Sequence, residues 1–261
     1  VKNFSAHKVY FLPLLFFLLL MPPIGAAAGD SADELFGVIS PCDYVTGRFN
    51  PVKSSLFVRL DELKIPCGGT VQYLRRDAAT ALKRMIIDFR KAHPVSPVWV
   101  RSSTRTWYDQ RSIWEEKWYG RRLVEGKNLS KVKDHRQRAL IILRYSSMPG
   151  TSRHHWGTDV DFNNLTDGYF TDGEGRDLYL WLRANAAKYG FHQPYCEGRS
   201  GGYQEEKWHW SYLPLSKRFI DEWNRLAPSK KLPAGGEPFA GAASVWDLAD
   251  QYVNAIGEDC R

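Results

Sequence analysis

No two of the four cysteines, at 42, 67, 196 and 260, form a Cys-x-x-Cys pair, so zinc ribbons, thioredoxin-type redox centres and iron–sulfur clusters lack their usual ligands. Long apolar runs are missing too, apart from one twelve-residue stretch near the start, and this excludes a membrane-embedded enzyme. Charge is not strongly of one sign. The 36 basic and 29 acidic residues leave a net +7, which favours anionic surroundings but is too diluted by acid for a nucleic-acid-binding protein. There is no internal repeat. What remains, 261 residues of which 43% are hydrophobic, is the composition of an ordinary globular chain with room for one catalytic domain.

The exceptional stretch lies in the first thirty residues. Lys2 and Lys8 precede the apolar run Tyr10 to Met21, and Pro22-Pro23 and the small residues Gly25 to Ala28 follow it. That order predicts a signal peptide over 1–28 and an exported protein, with contact to the membrane only if the segment stays uncleaved. Export gives an even cysteine count a meaning, because thiols pair in oxidising compartments. Of the three possible pairings, Cys42 with Cys67 closes a local loop and Cys196 with Cys260 ties the C-terminal tail to the body.

Periodicity lays out the rest. Asp77 is expected to cap a helix carrying Leu82, Met85, Ile86 and Phe89, followed by a strand over Val98 to Arg101 and a helix over Thr106 to Lys117. Residues 117–144 hold nine basic residues against Glu125 and Asp134, the pattern of a solvated face. Thr158 to Phe162 reads as a strand. Leu178, Trp181, Leu182, Ala186 and Tyr189 mark a helix stopped by Gly190. Lys207 to Tyr212 alternates as a strand, and a helix capped by Ser216 carries Phe219, Ile220, Trp223 and Leu226. A Pro/Gly/Ala-rich linker then leads to an amphipathic segment from Ser244 to Ile256. Short strands separated by helices predict an α+β fold with a small antiparallel sheet and flanking helices.

Three short segments carry chemistry: Ser102 to Gln110, Ser152 to Asp161, and Glu206 to His209. Zinc takes His and Asp/Glu ligands at ~2.0–2.2 Å, and a catalytic site supplies three while leaving one position for water. His154, Asp161 and His209 can supply them if the strand bearing His209 crosses beside that bearing Asp161. Asp159 alternates onto the same strand face as Asp161 and competes with it. Glu206, three residues before His209, is placed as a general base rather than a ligand.

These segments resemble the LAS metallopeptidases, and within them the D-alanyl-D-alanine carboxypeptidase branch that includes the vancomycin-resistance carboxypeptidases. Ser152, His154, Gly157 and Asp161 meet the pattern Ser-x-His-x-x-Gly-x-x-x-Asp, and Glu206 and His209 meet Glu-x-x-His. Ser102, Arg105, Thr106 and Gln110 fall on the upstream pattern, and Tyr189-Gly190-Phe191 also matches. The resemblance chooses Asp161 over Asp159. It implies a hedgehog/D,D-peptidase-like domain over 76–227, with an N-terminal extension over 29–75 and a linker and tail over 228–261. It implies Zn2+ held by His154, Asp161 and His209, Glu206 as catalytic base, and Arg105 at the oxyanion. Ser152 and Gln110 would contact the substrate, a peptidoglycan stem peptide ending in D-Ala-D-Ala, in the periplasm or the extracellular cell wall.

This chain departs from the family at Asp159, where a small residue is usual, at Lys207, usually proline, and at Gln193, near which the family has arginine. A zinc endopeptidase and a zinc-stabilised cell-wall binding module are the rival readings. Serine hydrolysis is a weak third reading, because Gly150-x-Ser152 lacks the second glycine of a nucleophile elbow. Trp156 and Trp208 are expected as pocket walls, and His93, His135, His155 and His192 as ordinary core or surface histidines.

Overall fold

The computed structural model describes Val1, residues 32–226 and residues 239–261. The expected signal segment and most of the linker lie outside the described residues. Among the described residues no helix is long and apolar enough to cross a membrane.

Among the described residues the first elements are two short helices, α1 (Ala32–Phe36) and α2 (Pro41–Val45), and a two-stranded antiparallel ribbon, β1 (Phe57–Arg59) and β2 (Tyr73–Arg75). Helix α3 (Arg76–Ala92) follows at once and buries Ala78, Leu82, Met85, Ile86 and Phe89, the face its periodicity predicts. Asp77 lies in its first turn and not at the cap, which is Arg75. That arginine turns inward, its guanidinium donating to Leu35 O at 2.6 Å and to Tyr44 Oη at 3.3 Å, and it makes no side-chain hydrogen bond to the helix end.

A four-stranded sheet carries the rest: β3 (Val100–Ser102), β4 (Asp159–Phe162), β5 (Phe191–His192) and β6 (His209–Tyr212), in the order β3-β4-β6-β5, antiparallel throughout. Helices α4 (Trp107–Trp118) and α5 (His135–Ile142) intervene between β3 and β4, and α6 (Gly173–Asn185) between β4 and β5. Helix α7 (Leu213–Leu226) continues directly from β6, and α8 (Ala249–Asn254) lies near the C-terminus. The fold is α+β, as expected. Ser216 does not cap α7, which starts three residues earlier; it is buried within the helix. The strand expected from Lys207 begins at His209, because Lys207 and Trp208 form a turn closed by His209 N–H donating to Glu206 O at 3.2 Å.

Two apolar cores result among the described residues. One lies between the Val160 and Trp210 face of the sheet and helices α3 and α6. The other gathers distant segments: Leu35, Phe36, Tyr44, Val45 and Phe57 from the N-terminal side, Trp114, Trp156, Phe219 and Trp223, and Phe239, Val245, Trp246 and Val253 from the C-terminal side. Tyr44 stacks on Phe219 with ring centroids 4.8 Å apart.

Neither expected disulfide is present: all four cysteines are free thiols. Cys42 is exposed on α2, whereas Cys67 is part-buried beside β3, where it bridges to Val100. Cys260 is buried, which pushes its thiol up to about 12, and Cys196 is close enough to add to that shift without being bonded to it.

Candidate metal centre

The alternation of β4 and β6 builds the site. Their register pairs Asp159 with Ser211, Val160 with Trp210 and Asp161 with His209. Period two then sends Val160 and Trp210 into one core and puts Asp159, Asp161, His209 and Ser211 together on the opposite face. His154 arrives from a single 3-10 turn, Arg153–Trp156, which ends at Gly157 in the left-handed region (φ 71°). A side chain there would be strained, and its Cβ would also meet the Phe57 ring at 2.4 Å.

His154, Asp161 and His209 are all buried, and one ligand atom from each lies within 4.8 Å of the others. His154 Nε2 is 3.3 Å from Asp161 Oδ2, and His209 Nδ1 is 3.2 Å from Asp161 Oδ1. His154 Nε2 and Asp161 Oδ1 are buried without a hydrogen-bond partner. Orphaned polar atoms on a nitrogen–oxygen donor set are what a metal ion would satisfy, so the residues present fit zinc. The remote nitrogens are occupied. His154 Nδ1 lies 2.8 Å from Ser103 O, and His209 Nε2 lies 2.8 Å from Asp159 Oδ2. A carbonyl oxygen only accepts, so His154 donates from Nδ1 and leaves the Nε2 lone pair facing the group.

Asp159 is thus not a competing ligand, because its oxygens are already used. Oδ2 accepts from Arg153 Nε at 3.0 Å and from His209, while Oδ1 accepts from Ser211 Oγ and Thr158 Oγ1, each at 2.7 Å. Arg153, with no exposed side chain, also donates to Ser211 Oγ at 2.7 Å and lies over the Trp156 ring. Burial opposes the charge on Asp159, yet Arg153 and His209 hold its carboxyl well below the usual range. Asp161 behaves likewise through His154 and His209. Burial also opposes protonation of His209, but its bonds to Asp159, Asp161 and Glu206 raise it well above the ordinary histidine value. His154 goes the other way, lowered by burial and by Arg105.

Glu206 stands beside the group, its Oε2 3.3 Å from His209 Nδ1. Its backbone is fixed on both sides: its N–H donates to Tyr195 O at 2.9 Å and its carbonyl accepts from Gln193 Nε2 at 3.1 Å. Gln193, one of the departures, therefore positions the turn that holds Glu206. Burial raises the Glu206 carboxyl, against the pull of His209 and Arg105. Arg105 is strapped in place by its own backbone, N–H donating to His154 O at 3.1 Å and O lying 2.7 Å from His155 Nδ1, and its Nε has no partner. Both Glu206 and Arg105 line a cleft of about 400 Å³, with Asp161, Trp208, Thr70 and Lys117 among its walls.

Ser152 and Gln110 are buried, and neither is part of the cleft lining. Ser152 Oγ and Gln110 Oε1 lack partners, while Gln110 Nε2 donates to Ser147 O at 2.7 Å. Lys207 points away, 3.7 Å from Glu205 and over the Tyr179 ring. Of the two tryptophans only Trp208 is a wall. Trp156 is wholly buried, its Nε1 donating to Val45 O at 3.2 Å, because the 3-10 turn directs it toward α2. Sequence reasoning missed Arg153, Ser211, Tyr195, whose ring lies 4.7 Å from that of His209, and Lys117. Only Ser211 carried a signal, through its alternation with His209.

What this fold and this group define together is a metallopeptidase. A family profile described as VanY, D-alanyl-D-alanine carboxypeptidase, matches residues 71–215, more than half of the chain. The chain belongs to that family of zinc peptidases. Similar solved structures include LdcB, an LD-carboxypeptidase, at 23% identity and TM-score 0.47 over 69% of this chain and 77% of that one. VanYB in complex with D-alanine-D-alanine is 23% identical at TM-score 0.43 over 62% and 83%, and DacB from Streptococcus pneumoniae D39 is 24% identical at TM-score 0.39 over 58% and 72%. Comparison with curated proteins finds no match.

Proposed function

We propose that the protein is an exported, zinc-dependent D-alanyl-D-alanine carboxypeptidase that removes the terminal D-alanine of peptidoglycan stem peptides outside the cytoplasm. The observation that carries this is the meeting of two orphaned ligand atoms, on His154 and Asp161, with a buried carboxylate, Glu206, at the wall of one cleft. His154, Asp161 and His209 would hold the ion. Bound zinc supplies a Lewis acid that brings the pKa of a coordinated water from 15.7 down to about 7.

The chain's own groups do the rest. Glu206, whose affinity for a proton is raised by burial, takes the proton of the attacking water at its carboxylate and returns it to the leaving amine. Arg105 presents a guanidinium with an unused Nε to the carbonyl oxygen as negative charge grows there. Asp159 and Ser103 O fix the two imidazoles, and Trp208 narrows access of bulk water. Ser152 Oγ and Gln110 Oε1, each buried without a hydrogen-bond partner behind the cleft lining, are the groups assigned to the peptide. The presence of both Glu206 and Arg105 favours hydrolysis over a binding module.

Mass spectrometry of muropeptides incubated with the zinc-loaded protein tests the reading. Loss of one alanine from pentapeptide stems is expected. Separation of cross-linked dimers with intact stems would make the protein an endopeptidase instead.

A further inference from the structure

Lys117 is a buried charge at the cleft that the reaction above leaves unused. It sits in the last turn of α4, 7% exposed, and its side chain reaches the cleft wall. Its ammonium donates to Ser146 Oγ, and among the described residues no carboxylate lies within ion-pair distance. An ammonium has three donors and no acceptor, so one hydroxyl leaves it far from satisfied, and burying a cation without an acid is costly. Burial pushes Lys117 down to about 8, Arg122 and Arg105 add to the shift, and Glu206 opposes it.

The surroundings repeat this imbalance. Arg101, Arg105 and Arg122 line the same cleft, whereas its two acids face the histidines, Asp161 3.3 Å from His154 and 3.2 Å from His209, and Glu206 3.3 Å from His209. The Ser146 hydroxyl is also fixed in place. Its N–H donates to Ile142 O at 3.1 Å, and the next residue's carbonyl is held by Gln110, two turns before Lys117 on the same face of α4. One helix face thus carries the ammonium and anchors the loop that bears its hydroxyl partner.

We propose that Lys117 and Ser146 form the seat for a free carboxylate of the substrate peptide, on the α4 side of Arg105 and Glu206. This rests on the carboxypeptidase reading. It gives that reading a physical reason, since an endopeptidase would lay an uncharged peptide against a buried ammonium. The terminal carboxylate is the one assigned. The side-chain carboxylate of a diacid residue in the stem has the same chemistry, so the test separates the two.

The test is calorimetric binding to zinc-loaded Glu206→Gln protein, in which hydrolysis is blocked. The probes are diacetyl-L-lysyl-D-alanyl-D-alanine and its C-terminal amide. The acid should bind about tenfold or more tightly than the amide, as expected for a hydrogen-bonded charge. Adding Lys117→Met should bring the acid to the affinity of the amide with zinc content unchanged, and Ser146→Ala should do so in part. A preference that survives both substitutions overturns the seat, as does wild-type-like binding of acid and amide alike, or of neither. A stem peptide with its diaminopimelate side-chain carboxylate free or amidated forms the second arm. A preference that follows this group and not the C-terminus overturns the terminal assignment. Turnover of the acid by unsubstituted protein is read in parallel. No alanine released despite a Lys117-dependent preference for the acid would overturn the reaction and leave the seat standing.

Discussion

His155 and His154 are neighbours with opposite tasks. Gly150 N–H donates to His155 Nε2 at 3.0 Å, so the ring must be neutral and donate from Nδ1 to Arg105 O at 2.7 Å. It is a keystone for the Arg105 backbone, and burial pushes its pKa down to about 3 from 6.5. A depressed histidine contributes stability that is fully present above 6.5 and is lost as pH falls toward 3. His155→Phe should therefore cost about 2–4 kcal/mol at pH 7.5, for two buried backbone groups left unpaired. The gap between the two proteins in urea unfolding should narrow as pH drops from 6.5 to 4; a constant gap would contradict the neutral ring. Glu206→Gln should keep zinc and lose turnover, since a base and not a ligand is removed. Metal analysis showing zinc lost with activity would sink that role. Asp159→Asn should weaken zinc binding by about 10- to 100-fold in chelator competition, because the His209 ring loses its anionic partner. Unchanged affinity would leave Asp159 serving Arg153 alone.

At the scale of elements, the strands that bear the site were legible because their signal is local. Asp-Val-Asp-Phe and His-Trp-Ser-Tyr alternate, and two alternating strands with matching polar faces pair in one register. Helices α3 and α7 were legible from their apolar spacing, and α4, where Thr106 and Asp109 cap each other's backbone, falls on the helix expected over Thr106 to Lys117. Boundaries were not, because Arg75 is drawn to Leu35 O and Ser216 is buried inside α7, neither of which a local pattern records. His154, Asp161 and His209 were singled out from spacing and resemblance and do come together in space, whereas Arg153 and Lys117 also make contacts with Ser211 and Ser146, 58 and 29 residues away. The turn before β4 offers a test. Gly157→Ala forces a left-handed alanine and drives its Cβ into Phe57, so it should destabilise by more than about 1 kcal/mol and displace His154. A melting temperature and zinc affinity equal to wild type would show that the turn yields freely.

The whole molecule is larger than its matched segment. Residues 71–215 leave out Tyr44, Val45 and Phe57 on one side and Phe239, Trp246 and Val253 on the other, all buried in one core with Trp156 and Phe219. The His155 ring itself is packed by Gly47, where an added Cβ would fall 2.3 Å from Nδ1. An excised 71–215 fragment should therefore show no cooperative thermal transition by circular dichroism and should bind zinc weakly, since most of a core is missing. A sharp transition would show that the flanks are dispensable. None of these long-range contacts has a periodic signature, which is why sequence reading treats the flanks as appendages.

The strand order β3-β4-β6-β5 has a consequence for time. His154 and Asp161 lie seven residues apart, but His209, the third proposed ligand, sits on β6, which follows β5 in the chain and lies between β5 and β4 in the sheet. Until β6 pairs with β4, the proposed site lacks both His209 and Glu206, so on that reading a half-folded chain has neither a tight metal site nor a proton acceptor. Zinc capture during refolding then works as a clock for the closing of the sheet: it should lag the formation of helix and coincide with the burial of Trp210 on the reverse face.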